Sequence, residues 1–521
     1  MGCDRAHLAG DPCDDGQGGA ARAEGRHRLV QRGGRQVNRA LPLFDWAFSQ
    51  ADKPAIVTDD GSYSFGQLRD AIVAAAAALA DRVAVGTRVG LFIDSTPNFV
   101  IHQYAVFYLG GVVVPLNRAM RESEVLDVVD YLGIRVLVSD TPLDLGSSAA
   151  SGYVVSGEFS VATSTTAAPE MASLDIDDPA LILQTSGSTG RPKGVQLSMR
   201  NLAVNYDATY RWIGVGRQDV ILLTLPIFNT YALNQGINMM AMTGATMRLL
   251  RRFSPENVRR ALDDSKPTFL PLVPTMLTRL YKEGVRYDER ITLGIGAAAS
   301  PAQIASDAWN VFPNAFLFFG YGLTEGTAIA SQNRVGWKDS NNGDFSSAGC
   351  VVPGVKVALA PSDEPDGRGE ILISGEAVFS SYVGTDEPRP VVDGWLHTGD
   401  VGVFTGDRLS IVDRKRELII RGGQNIYPGE VERLISAHEA VLEAAVVGAA
   451  DGDLGEVPVA FVVLRNGVST DGGELLEWLR PRAAAFKLPV AVHVLESMPK
   501  TPTGKIRKLD LKEMLASRVV S

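Results

Sequence analysis

One stretch decides how this chain is interpreted: Thr185-Ser186-Gly187-Ser188-Thr189-Gly190-Arg191-Pro192-Lys193-Gly194. An apolar run at 180–183 leads into it and Val195-Gln196-Leu197 follows, so we predict a loop between two strands. Glycines let a backbone fold closely around an anion, and hydroxyl and N–H groups donate hydrogen bonds to phosphate oxygens. Arg191 and Lys193 add positive charge. The stretch therefore predicts a loop that binds a polyphosphate.

The loop differs from the common P-loop, which places four residues between its glycines and then Lys-Ser/Thr at the start of a helix. Here Lys193 lies between Pro192 and Gly194, and no helix start follows. A flexible Ser/Gly linker is the alternative interpretation. Linkers rarely carry Pro-Lys-Gly between two apolar strands, which favours the phosphate loop.

Strand and helix patterns alternate on both sides of this loop, which predicts an α/β fold with a parallel sheet covered on both faces. Short strands with Gly and Pro turns over 349–374 predict a small β-barrel-like part. The predicted strands are 89–93, 112–116, 136–138, 222–225 and 247–250, and the predicted helices are 66–80, 98–109, 122–132, 234–242 and 255–265.

The charged run Asp413-Arg414-Lys415-Arg416 precedes a second folding unit, whose patterns suit a small α+β domain of about a hundred residues. At the other end, residues 1–40 carry seven Arg and eight Gly with few large apolar residues. We therefore predict a disordered extension over 1–40, an N-terminal domain over 41–412, a hinge over 413–416 and a small C-terminal domain over 417–521.

The composition excludes some classes of protein. A net charge of -10 over 521 residues argues against a nucleic-acid binder. No apolar stretch reaches the length of a membrane span, and the N-terminal segment lacks the apolar core of a secretory signal. The three cysteines are too few and too scattered for a zinc site or a disulfide framework. We expect a cytoplasmic protein without a membrane span.

Four further segments carry residue types that suit a nucleotide site. An aromatic ring can stack on a base, a Thr-Glu pair can bind a phosphate and its Mg²⁺, and an Asp after a glycine turn can accept both ribose hydroxyls. Each segment alone also suits a core tyrosine, a turn, a hairpin or a surface lysine. The segments are Phe319–Glu325, Gly394–Asp400, Arg421–Pro428 and Thr503–Lys505.

In this order, the five segments resemble the adenylate-forming superfamily of acyl-CoA and aryl-CoA synthetases, peptide-synthetase adenylation domains and luciferases. The resemblance covers roughly residues 41–521. It implies a large N-terminal domain, with αβαβα-type sheets and a small β-barrel-like part, and a small mobile α+β C-terminal domain. It also implies ATP, Mg²⁺ and a carboxylic acid, which reacts with ATP to give an acyl-adenylate and pyrophosphate.

The resemblance assigns a role to each motif residue. Arg416 stands where the family usually has Lys or Asp, and because Arg is also polar we expect rotation at the hinge to be kept. The assignments are ATP binding by Thr185, Ser186, Gly187, Ser188, Thr189, Gly190, Lys193, Tyr321, Asp400 and Arg414; catalysis by Thr324, Glu325 and Lys505, with Glu325 as the Mg²⁺ ligand; a hinge at Arg416; and a thiol channel at Gly422 and Gly423.

These roles agree with the chemistry. A carboxylate that attacks an α-phosphate brings two anions together, and Mg²⁺ on Glu325 with the donors of the phosphate loop would offset their repulsion. Lys505 would bridge the carboxylate and the α-phosphate and align the displacement. Closure of the small domain would keep water from the acyl-adenylate.

The resemblance also implies an acyl pocket. Amino-acid-activating relatives place Asp where Asn229 stands, so a substrate ammonium would lack its counter-ion here. We predict an aryl or medium-chain acid without a free α-amino group. Asn229 would then hydrogen-bond a hydroxyl, carbonyl or amide of the acid, or else satisfy backbone groups. The predicted pocket residues are Asn229, Thr230, Leu233, Gly294, Gly320, Ala328 and Ile329, and the small ones would leave room for the chain.

The thiol acceptor and the overall class stay open at this point. The run Gly422–Pro428 is more similar to acyl-CoA ligases than to peptide-synthetase modules, which favours CoA. The alternative is a free-standing enzyme that loads the phosphopantetheine thiol of an acyl or peptidyl carrier protein. Light emission and ring-forming ligase chemistry use the same first half-reaction. A non-catalytic nucleotide-binding homologue is the alternative of another class, and retention of Glu325, Asp400 and Lys505 argues against it.

Overall fold

The computed structural model describes two compact units. The large unit comprises the described parts of Gly10–Lys356 and Ile373–Leu396, and the small unit comprises Val357–Leu372 and the described part of His397–Ser521. The residues described are 36–37, 41–146, 148–155, 168–185, 193–296, 302–327, 329–335, 347–362, 364, 366–422, 424–465, 467–468, 470–500 and 506–518. Residues 1–35 and 38–40 of the predicted extension lie outside them, and Gln36–Val37 pairs with Leu174–Asp175.

The first sheet of the large unit has seven strands and carries the ends of the phosphate loop. Its central pairs are parallel, and an antiparallel hairpin with a further antiparallel strand completes one side. The predicted parallel sheet is thus confirmed in its centre, and the two strands joined by the phosphate loop pair antiparallel. In spatial order the strands are Ser381–Val383, Lys193–Ser198, Pro179–Thr185, Val112–Pro115, Arg88–Phe92, Val136–Ser139 and Ser151–Val154.

The second sheet of the large unit has parallel strands in its centre and antiparallel strands at both ends. A short strand, Val391–Val392, pairs with residues 395–396. In spatial order the strands of the second sheet are Gly349–Val351, Ser331–Val335, Ala315–Tyr321, Ile291–Ile295, Phe269–Leu272, Val220–Leu223, Thr246–Leu249, Pro54–Val57 and Ser62–Ser64.

Helices connect the parallel strands and cover the sheets. Side chains start several of them: Ser64 forms a capping box with Gln67, and Ser254 caps the helix that begins at Pro255. The predicted helix 234–242 is a π-helix, Leu233–Asn238, followed by an α-helical turn. The α-helices of the large unit are Leu41–Ser49, Phe65–Leu79, Pro97–Tyr108, Glu122–Tyr131, Met199–Ile213, Thr230–Ala232, Met239–Thr243, Pro255–Ser265, Pro274–Lys282 and Ala302–Val311, and Thr324–Gly326 is a 3₁₀-turn.

The small unit is rich in β-structure, and short strands are present within the range 349–374 as predicted. Four strands, Lys356–Leu359, Gly369–Ser374, Trp395–Thr405 and Arg408–Arg414, are neighbours in this order. A five-stranded sheet follows, with Gln424–Ile426, Ile419–Arg421, Gly455–Leu464, Val441–Asp451 and Ala491–Leu495. Its helices are Pro428–Ser436, Gly472–Leu479 and Lys508–Arg518, with 3₁₀-turns at Lys415–Glu417 and Ala485–Lys487.

Both units have apolar cores, and the mixed α/β class with a large N-terminal and a small C-terminal part is confirmed. No helix among the described residues has the length and apolar character needed to cross a membrane. The domain boundaries at 40, 412 and 416 stay predictions.

Candidate functional site

The two ends of the phosphate loop face each other across a strand pair. Thr185 ends one strand, Lys193 begins the next, and the two are register partners. Residues Ser186–Pro192 lie outside the described residues, so their predicted phosphate contacts stay predictions. The hydroxyl oxygen of Thr185 is buried and has no hydrogen-bond partner among the residues that the structure describes. A buried hydroxyl at the mouth of a phosphate loop suits a ligand.

Lys193 contacts Glu387 and Tyr382, and Tyr382 in turn contacts Glu325. We call these four residues the phosphate-side cluster: Lys193, Glu325, Tyr382 and Glu387. The Lys193 ammonium lies 3.1 Å from Glu387 Oε2 and 3.9 Å from the centroid of the Tyr382 ring. The Tyr382 hydroxyl donates to Glu325 Oε1 at 3.1 Å. Burial, followed by the negative charge of Glu325, raises the pKa of Tyr382 well above its usual value, so this hydroxyl keeps its proton.

The motif residues around Glu325 lie at the end of a strand and in the turn that follows it. Tyr321 is the last residue of a strand, and Glu325 lies in the following 3₁₀-turn. The Thr324 hydroxyl lies 3.3 Å from the hydroxyl of Thr230, which the sequence assigns to the acyl pocket. The structure therefore brings a predicted phosphate contact and a predicted pocket residue together.

Glu325 suits Mg²⁺, which binds one or two carboxylates and takes its other ligands from water and substrate phosphates. Its carboxylate is partly exposed and is held by the hydroxyl of Tyr382. No group of three or more His, Cys, Asp or Glu residues suited to a metal exists within the described ranges. A single carboxylate such as Glu325 fits an ion whose other ligands come from water and the phosphates of ATP.

Asn229 uses its side chain to begin a helix. Its Oδ1 accepts the Ala232 N–H at 2.8 Å, which is N-cap geometry. This is the backbone-satisfying alternative that the sequence left open. The cap fixes the start of the segment that carries Thr230 and Leu233.

Tyr231 is a residue of this region that the sequence interpretation missed. A Cβ added at Gly294 would lie 2.9 Å from the Tyr231 hydroxyl, and one added at Gly296 would lie 2.8 Å from its ring. The space beside Gly294 is thus taken by the hydroxyl of Tyr231 and the ring of Phe269, and the space beside Gly296 by the ring of Tyr231. At Gly320 a Cβ would lie 2.8 Å from the Ser331 carbonyl oxygen, so this glycine permits close strand pairing. The sequence signal that could have identified Tyr231 is the aromatic residue directly after Thr230 together with the glycines at 294 and 296.

The π-helix that follows Tyr231 carries buried amide side chains. Asn234 and Gln235 are 3% and 2% exposed, and each has a polar atom without a hydrogen-bond partner among the described residues. Asn238 accepts from Gln103 and donates to Asn234. Single π-turns inside helices are frequent at functional sites. Buried neutral amides with unused capacity suit a neutral hydrogen-bonding group or water.

The predicted ribose residues form a cross-strand pair in the small unit. Asp400 and Arg414 are register partners in adjacent antiparallel strands, and Arg414 Nε lies 3.3 Å from Asp400 Oδ1. Asp400 is 8% exposed, and the residue before it, Gly399, has a φ of 74°. We call Asp400 and Arg414 the ribose-side pair. Sequence spacing alone cannot place them together, because that depends on strand register.

Residues on both sides of the predicted hinge residue Arg416 make charged contacts or hydrogen bonds. Arg416 is exposed in its 3₁₀-turn. Asp413 accepts the Gly429 N–H at 2.6 Å and the Arg414 N–H at 2.7 Å, and burial raises its pKa to about 6. The Lys508 ammonium lies 2.7 Å from Glu417 and 2.8 Å from Glu432.

The remaining predicted residues are described in part. Gly422 lies in the turn between two short strands with a φ of 55°, and its N–H donates to the Leu454 carbonyl at 2.7 Å. Leu233 and Ile329 are buried. Ala328, Gly423 and Lys505 lie outside the described residues, and their roles stay predictions.

The chain is similar in sequence to known proteins. Residues 43–383 match the family model of the AMP-binding enzyme, and residues 430–505 match that of the AMP-binding enzyme C-terminal domain. A 7a-methyl-1,5-dioxo-octahydro-1H-inden-4-yl propanoyl:CoA ligase from Mycobacterium tuberculosis is 30% identical over 89% of this chain and 96% of its own. The 4-coumarate–CoA ligase 5 of Oryza sativa subsp. japonica is 30% identical over 92% of this chain and 95% of its own.

A solved structure is also similar. The o-succinylbenzoate CoA synthetase of Bacillus subtilis, in complex with its acyl-adenylate intermediate, matches with a TM-score of 0.81 and 28% identity. The match covers 92% of this chain and 98% of that one. The same synthetase, in complex with ATP and a magnesium ion, matches with a TM-score of 0.81 and 27% identity over 92% of this chain and 100% of that one.

Proposed function

The chain belongs to the family of AMP-binding enzymes and is an AMP-forming ligase of the acyl-CoA synthetase type, and on that premise we propose its reaction, its acid and the residues that act. A carboxylic acid reacts with ATP to give an acyl-adenylate and pyrophosphate. The thiol of CoA then attacks the acyl carbon, which gives the thioester and AMP. The enzyme uses ATP, Mg²⁺ and CoA.

The phosphate-side cluster is the observation that supports the proposed roles of Lys193 and Glu325. Lys193 and Glu325 are far apart in the sequence, yet one aromatic side chain contacts both. A cation for the phosphates and a carboxylate for their metal ion are what the attack of one anion on another requires. The bound Mg²⁺ would supply positive charge at the phosphate oxygens as pyrophosphate leaves.

The chain's other residues bind and orient the reactants. Tyr321 would stack on the adenine, Thr324 would donate to a phosphate oxygen, and Asp400 with Arg414 would hold the ribose hydroxyls. Lys505 would lie between the substrate carboxylate and the α-phosphate, where its ammonium stabilises the charge that develops as the new bond forms.

The acid that we propose is an aryl or medium-chain acid without a free α-amino group, with a neutral hydrogen-bonding group away from its carboxylate. The described pocket side chains Asn229 and Thr230 are neutral, so an ammonium would find no counter-ion among them. The unused capacity of Asn234 and Gln235 supports a keto, hydroxyl or similar group on the acid. The Mycobacterium relative is named for a dioxo acid, which has this character.

The test is ATP–pyrophosphate exchange over a panel of amino, aryl, keto-substituted and aliphatic acids, followed by mass spectrometry of the product with CoA or with a holo carrier protein. We expect exchange with non-amino acids and a CoA thioester. Exchange with amino acids alone would contradict the proposed acid. Transfer to the carrier protein alone would contradict CoA as the acceptor.

The central residue is tested with Lys505→Ala, for which we expect a loss of about 10²-fold or more in adenylation, or about 3 kcal/mol of transition-state stabilisation. Lys512→Ala, an exposed lysine of the C-terminal helix, is the matched control and should retain its rate. Adenylation by Lys505→Ala at the rate of the control would contradict the mechanism.

A further inference from the structure

We propose that Glu370 is the positioning residue for the ribose-side pair and thereby sets how strongly the enzyme recognises the ribose hydroxyls of ATP. Glu370 belongs to none of the motifs that assign the site. The inference rests on the proposed function, because that function gives Asp400 and Arg414 their ligand. It makes the discrimination between ATP and its deoxy analogues depend on a carboxylate that touches no substrate.

The carboxylate of Glu370 is mostly buried and lies among three donors. Its side chain is 11% exposed and lies on the strand beside the one that carries Asp400. One oxygen, Oε1, accepts the Gly399 N–H at 3.0 Å. The other, Oε2, lies 3.1 Å from the Lys415 ammonium and 3.2 Å from His397 Nδ1. Burial alone would raise the pKa of Glu370, but these partners bring it below its ordinary value.

Two of the donors that bind Glu370 are direct sequence neighbours of the ribose-side pair. Gly399 directly precedes Asp400, and Lys415 directly follows Arg414. Asp400 and Arg414 are themselves register partners. One carboxylate therefore contacts both chain segments one residue away from the pair, on the side where the strand Arg408–Arg414 ends.

Gly399 lies within the strand Trp395–Thr405, and the side on which a Cβ would stand is open. Its φ of 74° is a left-handed conformation, and a Cβ placed there would have no neighbour within 4 Å. Packing therefore does not hold this peptide on that side. The hydrogen bonds hold it: the Gly399 N–H to Glu370, and the Thr398 hydroxyl to the Ile371 carbonyl at 2.7 Å.

A hydrogen bond to an ionised group is strong only in good geometry. If the Gly399 peptide turns, the Asp400 carboxylate moves away from the position in which it accepts two ribose hydroxyls. The adenine and phosphate contacts lie elsewhere in the chain, so loss of Glu370 should weaken recognition of the ribose selectively. A role confined to stability would weaken ATP and deoxy-ATP binding alike.

The experiment measures dissociation constants of the full-length enzyme for ATP, 2′-deoxy-ATP and 3′-deoxy-ATP by calorimetry, without acid or CoA. For the wild type we expect removal of a recognised hydroxyl to weaken binding about tenfold or more. For Glu370→Gln we expect ATP to bind about 5–10-fold more weakly and the deoxy analogues to change about twofold at most, so that discrimination nearly disappears. Glu477→Gln, an exposed carboxylate of the same unit paired with Arg480, should leave all three constants unchanged.

Equal weakening of ATP and both analogues in Glu370→Gln would overturn the inference, and so would unchanged discrimination. If Glu370→Gln does not fold, as judged by its thermal transition, Glu370→Asp takes its place, because it keeps the charge but is too short to reach Gly399. Wild-type enzyme that binds ATP with ribose discrimination but shows no pyrophosphate exchange with any acid would contradict the proposed function alone. Wild-type enzyme without ribose discrimination would overturn the inference and the ribose role of Asp400 and Arg414, whereas the proposed reaction would stand if pyrophosphate exchange is observed.

Discussion

The phosphate-side cluster and the ribose-side pair are built by different kinds of contact. The cluster joins side chains from a hairpin, a 3₁₀-turn and the segment around Tyr382, and they meet through one aromatic ring. The pair consists of register partners in adjacent strands. Side chains place the first, and backbone hydrogen bonds place the second.

This difference predicts how each region responds to mutation. In the cluster, a single side chain can be changed without moving the backbone, so the effect should remain electrostatic and local. Near the pair, a change acts through the position of a strand or a turn. Matched substitutions in the two regions can therefore be compared directly.

The largest effect is expected at Glu325 of the cluster. Glu325→Gln keeps the shape and the acceptor for Tyr382 but removes the charge that we propose for Mg²⁺, so adenylation should fall about 10²–10³-fold, or about 3–4 kcal/mol. The measurement is single-turnover formation of acyl-adenylate at saturating ATP, together with Mn²⁺ binding followed by electron paramagnetic resonance. Glu376→Gln, an exposed carboxylate paired with Arg200, is the control. Normal Mn²⁺ binding by Glu325→Gln would mean that the metal ion is not bound by Glu325 of the cluster.

Tyr382 should give the next largest effect. Tyr382→Phe loses the hydrogen bond to a charged carboxylate but keeps the ring beside Lys193, so we expect about a tenfold weaker response to Mg²⁺ and little change in ATP affinity. Tyr382→Leu also loses the ring and should weaken ATP binding about threefold more. The measurement is the Mg²⁺ dependence of pyrophosphate exchange with ATP affinity determined separately. Identical behaviour of the Phe and Leu variants would show that the ring does not connect the two charges.

Much of the fold follows from the sequence because strand and helix periods are local. The alternation of elements, the Ser64 cap and the strand–loop–strand around the phosphate loop all have nearby signals. The residues that hold the motifs have no such signal. Tyr382 and Glu370 contact their partners only after distant strands pair, and a single sequence does not contain that register.

The acyl pocket shows the same limit. The sequence suggests free space beside Gly294, but the structure places the hydroxyl of Tyr231 there. The sequence allows Asn229 to contact either the substrate or backbone groups, and in the structure its side-chain oxygen caps a helix. Small and amide residues are ambiguous in sequence because their role depends on the neighbours that folding brings to them.

On the ribose side, a change of pH tests Asp413, which precedes Arg414. Burial raises its pKa to about 6, above the ordinary value of 3.8, so its contribution to stability is fully present below about pH 4 and is lost as the pH rises through 6. Lowering the pH from 7 to 5 should therefore stabilise the wild type relative to Asp413→Asn by about 1 kcal/mol. Denaturant unfolding of both proteins at several pH values measures this. A difference between them that does not vary with pH would mean that Asp413 is ionised throughout.

The smallest expected effect is at Glu387, and it has the opposite sign. The Lys193 ammonium is 3.1 Å from Glu387 Oε2 with both side chains partly buried, so a phosphate that binds Lys193 must compete with this carboxylate. Glu387→Gln removes the competitor, and because a partly exposed ion pair contributes about 1 kcal/mol or less, pyrophosphate and ATP should bind about threefold more tightly. Calorimetry with pyrophosphate measures this, and Tyr382→Phe is the comparison that leaves the pair intact. Weaker binding by Glu387→Gln would mean that Glu387 orients Lys193 toward the phosphates, and the cluster would then be held in place by its ion pair as the ribose-side pair is by its strands.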